Sequence, residues 1–282
     1  MEKISTPHKI VAEACCNHMG DIKIAEKMII TAATCGVDYV KFQKRNPEKC
    51  VPKHMQNNPH PNPSNAFGNT YLEHRHNLEF NIEQHSHLSQ ICKNANVGYS
   101  CSVWDIESAT EIISLQPDYI KIPSAHNNNY ELLDYLYTNY KGNLHISLGM
   151  ATRQEREQLY KYIPDYDRTV LYWSTSGYPV PFNELFLLEI SKLPNICEKG
   201  YSGHHLGIAV DIAAYTLGAR WIERHFTLDR TWKGTDHAAS LEPSGLQKLC
   251  RNIKATRLAL NYKEKLTEDE EKNSRKLRFQ HP

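Results

Sequence analysis

The chain has 282 residues, with 33 Lys and Arg against 32 Asp and Glu, a formal net charge of +1, and 40% hydrophobic and 23% charged residues. That profile is globular rather than disordered and long enough for one barrel-sized domain with a sizeable core. It lacks the basic excess of a general nucleic-acid binder. No apolar run approaches the ~20 residues of a membrane span. The N-terminus lacks the basic-then-apolar order of a signal peptide. The eight cysteines form no CxxC pair and no regular framework. The expectation is therefore a cytoplasmic protein with reduced, mostly buried thiols, and no membrane or nucleic-acid partner.

Taken in order, a first strand is expected at 10–15, then a helix over 22–34 with Ile24, Met28, Ile29 and Ala32 at helical spacing, closed by Cys35-Gly36. A second strand follows at 39–42. Later strands are expected at 97–102, 119–122, 144–148, 169–173, 198–202 and 221–226. Helical stretches near 82–96, 105–115, 129–140, 152–162, 182–191, 207–217 and 243–260 separate them. Eight strand–helix units predict an α/β fold, a (β/α)8 TIM barrel over residues 1–262, with an open doubly wound sheet as the alternative. Residues 44–80, rich in Pro, Asn and His, read as a long loop insertion over the C-terminal face of the barrel. Residues 263–282 read as a charged, solvated, partly ordered tail.

Reactive side chains collect where the expected strands end, as barrel chemistry requires. Glu13, Lys41, Gln43, Lys121, Ser124, His126, Ser147, Ser176, Tyr178, Ser202, His204, Glu223, His225 and Asp236 all fall at or just beyond such ends. His204 and His225, on adjacent strand ends with Glu13 and Asp236 nearby, read as ligands of Mn, Fe, Co or Zn rather than Ca; the alternative is that each bonds a backbone carbonyl. Lys41 and Lys121 with Ser147, Ser176 and Ser202 read as a cradle for phosphate and carboxylate. Two other readings stand beside it: each lysine neutralised by a protein carboxylate, or a Schiff-base lysine. The His74-Arg75-His76 run in the long loop meets a sugar phosphate or is simply solvated. No GxGxxG or GxxxxGK[ST] motif supports a nucleotide reading.

The motifs VAEACCNHMGD, DYVKFQK, YIKIPSAHNNNYELL, ISLGMAT, STSGYPVP, YSGHHLGIAVDIAAYTLGARWIERHFTLDR and GTDHAASLEP occur in this order. In this combination the chain resembles the sialic acid synthase family over about residues 8–260. The resemblance implies condensation of phosphoenolpyruvate with an open-chain hexosamine or hexose, such as N-acetylmannosamine or its 6-phosphate, to give a nonulosonic acid and phosphate. It implies a divalent metal, Mn2+ or Mg2+ first and Zn2+, Co2+ or Fe2+ after them, on His204 and His225. Lys41, Lys121, Ser124, Ser147, Ser176 and Ser202 match the family's phosphoenolpyruvate positions. Glu13 and Asp236 match positions contacting the sugar and metal-bound water, and Gln43 and Tyr178 match the sugar pocket. A homodimer is implied as well.

Three departures stand out. His126 replaces a family acidic residue and is expected to take over its acid–base role. Cys101 stands where the family often has Thr. The chain stops where many members continue into a small C-terminal antifreeze-like domain, so residues 44–80 are expected to close the pocket. The competing functions are a metal-independent Schiff-base pyruvate lyase and a non-catalytic sugar-binding relative.

Overall fold

Alternation along each apolar run sends one side chain outward to a helix and the next inward to a common axis, and this builds the molecule. The computed structural model describes residues 7–279. Its strands are β1 (Lys9–Glu13), β2 (Tyr39–Lys44), β3 (Gly98–Val103), β4 (Tyr119–Ile122), β5 (Asn143–Ser147), β6 (Thr169–Ser174), β7 (Glu198–Gly203) and β8 (Trp221–His225). Each pairs in parallel with the next, and β8 returns to β1, so the sheet closes as the expected barrel. The open-sheet alternative falls with that closure.

Outward residues such as Ile10, Val40, Phe42, Cys101, Ile120 and Ile146 pack into the layer between strands and helices. The helix Ile22–Cys35 shows how the outer ring is set. Asp21 accepts the Lys23 N–H at 2.8 Å and starts it, Gly36 at φ 92° ends it, and Ala25, Met28, Ile29 and Ala32 are buried. Inward, β2, β4, β6 and β8 contribute Tyr39, Tyr119, Tyr172 and Trp221, one ring from each alternate strand. His145 of β5 stacks on Tyr119 at 3.7 Å between ring centroids. This aromatic plug seals the barrel floor and leaves the next positions up each strand to face an open mouth.

Three stretches differ from expectation. The helix expected over 182–191 is instead a 3-10 turn at Phe182–Glu184 and one helical turn at Glu189–Lys192. Phe186 between them holds φ 48°, a left-handed residue that no right-handed helix contains. The 44–80 segment is punctuated by short helices at Pro47–Cys50, Lys53–Gln56 and Tyr71–His76, the first and last capped by the side chains of Asn46 and Thr70. In the tail, Thr267 and Glu270 form a capping box for a helix at Glu268–Leu277 that buries none of its residues. Among the described residues no helix is long and apolar enough to cross a membrane.

Candidate active site

Two steps of alternation up from the aromatic plug place every charged group of the mouth. On β2 the inward series is Tyr39, Lys41, Gln43; on β4 it is Tyr119, Lys121; on β8 it is Trp221, Glu223, His225. On the odd strands it brings Glu13, Ser102, Ser147 and Ser202 to the same height. A cavity of about 240 Å³ opens here, and these residues line it together with Trp104, Ser124, Ser176, Tyr178 and His204.

Four buried charges form its floor. The Lys41 ammonium contacts the Glu13 carboxylate, donates to Ser102 Oγ at 2.8 Å and lies 3.7 Å from Glu223. Lys121 donates to Glu223 at 2.6 Å, and Ser202 donates to the same oxygen at 3.1 Å. Two cations and two anions cancel, which is what makes their burial tolerable without a ligand. Burial pushes the Lys41 ammonium down to about 7. Burial also opposes charge on Glu223, but Lys121 and Lys41 outweigh it and hold the carboxyl below its ordinary range.

Beside the charges lies a wall of hydroxyls. Ser124 and Ser147 share a hydrogen bond at 2.8 Å. Asn127 Nδ2 donates to the carbonyls of Ser147 at 3.0 Å and Gly149 at 2.9 Å, fixing the loop after β5. A Cβ at position 149 would sit 2.5 Å from Ser124 Oγ and 2.8 Å from Ser176 Oγ, so glycine is what lets the two hydroxyls converge.

The two expected metal ligands face one another, rings 5.3 Å apart. His204 Nδ1 pairs with the Thr175 carbonyl at 2.8 Å, which puts its proton on Nδ1 and leaves Nε2 as an acceptor. Thus one alternative reading, a histidine bonded to a carbonyl, is present at His204 and serves to orient the ligand nitrogen. Burial pushes His204 down to about 3 and lowers His225 too, so both rings are neutral near pH 7, the form a metal needs. Asp236 Oδ2 lies 4.0 Å from His225 Nδ1 and accepts the Cys15 thiol proton at 2.8 Å. Against the pull of burial, His225 and Cys15 keep the Asp236 carboxyl low. Gln43 donates to the Cys15 sulfur at 3.0 Å, and the Tyr178 ring lies 4.5 Å from His204. This mixed set of imidazole, carboxylate and thiol suits a divalent transition metal, and His225 Nδ1 is buried with no hydrogen-bond partner.

Of the expected site residues, two stand apart from the cavity wall. His126 does not line it; its ring packs against Trp104 at 5.2 Å, and Ser124 and Ala125 face the space instead. Asp236 lies behind His225 and lines a small neighbouring hollow with Arg75, His74 and Phe67. Residues 44–80 lie over that hollow and contribute nothing to the wall of the main cavity. The His74-Arg75-His76 run is bonded within the segment: Phe67 N–H to His74, Arg75 to Tyr71 and His76 to Glu48. Cys101 points away from the mouth, so its departure from Thr does not touch the cavity, and Ser102 holds the inward place. Glu223 was visible two residues before His225 on one strand face and was given no role; Trp104 and Asn127 carried no chemical signal in the sequence.

This is the mouth of an α/β barrel in which buried lysines and hydroxyls lie beside side chains that could hold a metal ion. The chain belongs to the NeuB family, whose profile matches residues 28–265. N-acetylneuraminate-9-phosphate synthase of Mus musculus is 36% identical over 260 residues, 90% of this chain and 71% of that protein. N,N'-diacetyllegionaminic acid synthase of Campylobacter jejuni is 36% identical over 273 residues, 94% and 81% of the two chains. The crystal structure of N-acetylneuraminic acid (sialic acid) synthetase from Leptospira borgpetersenii, in complex with citrate, superposes with a TM-score of 0.82 at 26% identity. That match covers 98% of this chain and 94% of the other.

Proposed function

We infer that the protein is a synthase joining phosphoenolpyruvate to an open-chain hexosamine or hexose, giving a nonulosonic acid and phosphate. The observation that carries this is one cavity holding Lys41, Lys121 and five serines opposite two facing neutral histidines, in a chain of the NeuB family. A substrate with a phosphate and a carboxylate gives both lysines new partners, and Ser124, Ser147, Ser176 and Ser202 supply directional donors to its oxygens. Gln43 and Tyr178 face the sugar. C3 of phosphoenolpyruvate forms the new bond to the aldehyde carbon, and the resulting cation at C2 takes water. Glu13, released from Lys41, accepts one of that water's protons, while the aldehyde oxygen, left as an alkoxide, takes up a proton to become a hydroxyl; the remaining proton of the C2 hydroxyl passes to the departing phosphate as the C–O bond breaks and the ketone remains. His204 and His225 would hold the divalent metal, which supplies Lewis acidity toward the aldehyde oxygen when bound.

The Schiff-base alternative has less support, because both lysine nitrogens are already engaged by carboxylates, Lys41 by Glu13 and Lys121 by Glu223. For a homodimer, the support is the exposed apolar run Phe182, Phe186, Leu188 and Ile196, of the kind a subunit contact covers. A cytoplasmic setting agrees with eight free cysteines. The test is phosphate release from phosphoenolpyruvate with Mn2+ across mannose, N-acetylmannosamine, their 6-phosphates and deoxy-diamino hexoses. The aldose that drives release names the sugar.

A further inference from the structure

The end of β1 carries a feature that the two-histidine site does not explain. Cys15 holds φ 46°, left-handed for a residue with a side chain, at the first turn beyond the strand. That conformation aims Sγ at the carboxylate of Asp236, 221 residues away in sequence. Ligand atoms of Cys15, His225 and Asp236 all lie within 4.8 Å of one another. All three residues are at least mostly buried, and the cluster shares a single thiol proton, donated to Asp236. It leaves His225 Nδ1 buried without a hydrogen-bond partner, 4.0 Å from the Asp236 carboxylate. An orphaned imidazole nitrogen beside a thiol and a carboxylate is a donor set that could hold a cation.

Resting on the metal-dependent reading above, we propose that Cys15 is a thiolate ligand of the divalent metal, together with His225 and Asp236. The metal takes the place of the thiol proton, which leaves to solvent, so charge balances on loading. The move needed is small. Tetrahedral bonds of about 2.3 Å to sulfur and about 2.1 Å to oxygen set those atoms about 3.6 Å apart, an opening of roughly 0.8 Å from the present contact. A sulfur ligand shifts preference away from Mg2+ and toward Zn2+, Co2+, Fe2+ or Mn2+, since thiolate is a soft donor. It also makes loading sensitive to thiol oxidation, because the sulfur that binds the metal is the one that oxidation removes.

The test is Co2+ titration of the metal-free full chain, followed by absorbance and by proton release in weak buffer. Wild type should develop a thiolate-to-cobalt charge-transfer band in the near ultraviolet at one equivalent. It should release about one proton more per metal than the Cys15→Ser variant. Cys15→Ser and Cys15→Ala should lose the band and bind Co2+ at least about tenfold more weakly. Thermal unfolding of both metal-free variants checks that the fold survives. A wild-type complex without the band, whose Co2+ binding is abolished by His225→Ala, overturns the thiolate and leaves the histidine site standing. Absence of any Co2+ binding by wild type overturns both.

Discussion

Glu223 shows how one side chain sets the state of the whole mouth. It accepts from Lys121 and Ser202 and sits 3.7 Å from Lys41, all out of water. Removing its charge strands two buried cations against one anion, a change that typically costs about 3–5 kcal/mol. Glu223→Gln should therefore melt well below wild type, and phosphate should recover more of its stability than it adds to wild type, because the anion supplies the missing charge. Thermal unfolding with and without inorganic phosphate reads both effects; equal phosphate shifts would contradict the charge argument. Gly149 tests the hydroxyl wall. Gly149→Ala pushes Ser124 and Ser176 apart, and should raise KM for phosphoenolpyruvate roughly tenfold while costing about 1–3 kcal/mol of stability. An unchanged KM would remove those serines from the phosphate site. At this scale the sequence exposed the residue types and the spacing exposed their faces. Partners stayed hidden: nothing in the sequence says that Cys15 reaches Asp236, because no fixed spacing links a left-handed turn after β1 to a loop after β8.

At the scale of elements, legibility followed the strength of local periodicity. Most of the helices were readable because each has one buried face and a chemical start or stop, and the eight strands because both faces are buried and leave short apolar runs. Asp21 is such a start, and its loss should cost about 1 kcal/mol; Asp21→Ala in chemical denaturation checks it, and a stability unchanged to within a few tenths would mean that tertiary packing alone fixes that helix. The segment 182–191 misled because helical spacing of Phe182, Leu185, Leu188 and Glu189 continues across a residue whose φ is positive. Periodicity reports which faces are apolar, not whether the backbone stays right-handed. The 44–80 segment was legible as an insertion and illegible in placement, since its contacts are long-range and its own periodicity spans only single turns. His126 was misplaced for a related reason: a strand end fixes the first residues beyond it, and a 3-10 turn at Ser124–His126 rotates the third away from the mouth.

The whole molecule titrates through its buried histidines. Burial pushes His18, His85 and His204 down to about 3, while unfolded histidine takes up a proton near 6.5. Between those values the unfolded chain binds more protons, so stability is full above about pH 6.5 and falls as pH drops toward 3. Each ring contributes up to ~1.4 kcal/mol per pH unit, about 4 for the three. From these three rings the metal-free protein should thus lose about 6 kcal/mol between pH 6.5 and pH 5, to be set against a typical margin of about 5–15 kcal/mol. His85→Gln should reduce the slope by up to ~1.4 kcal/mol per pH unit whatever it does to absolute stability, and an unchanged slope would place the proton uptake elsewhere.

The barrel brings two lysines, five serines and two facing histidines into one cavity, and in the proposed reaction both sets act on the same two substrates. Phosphate release from phosphoenolpyruvate tests this most directly. The account predicts release that requires both an aldose and a divalent metal, stops with a chelator, and falls sharply in Lys121→Met. Silence across the aldose panel from protein shown to hold its metal would contradict it. So would chelator-resistant turnover with a lysine trapped by borohydride.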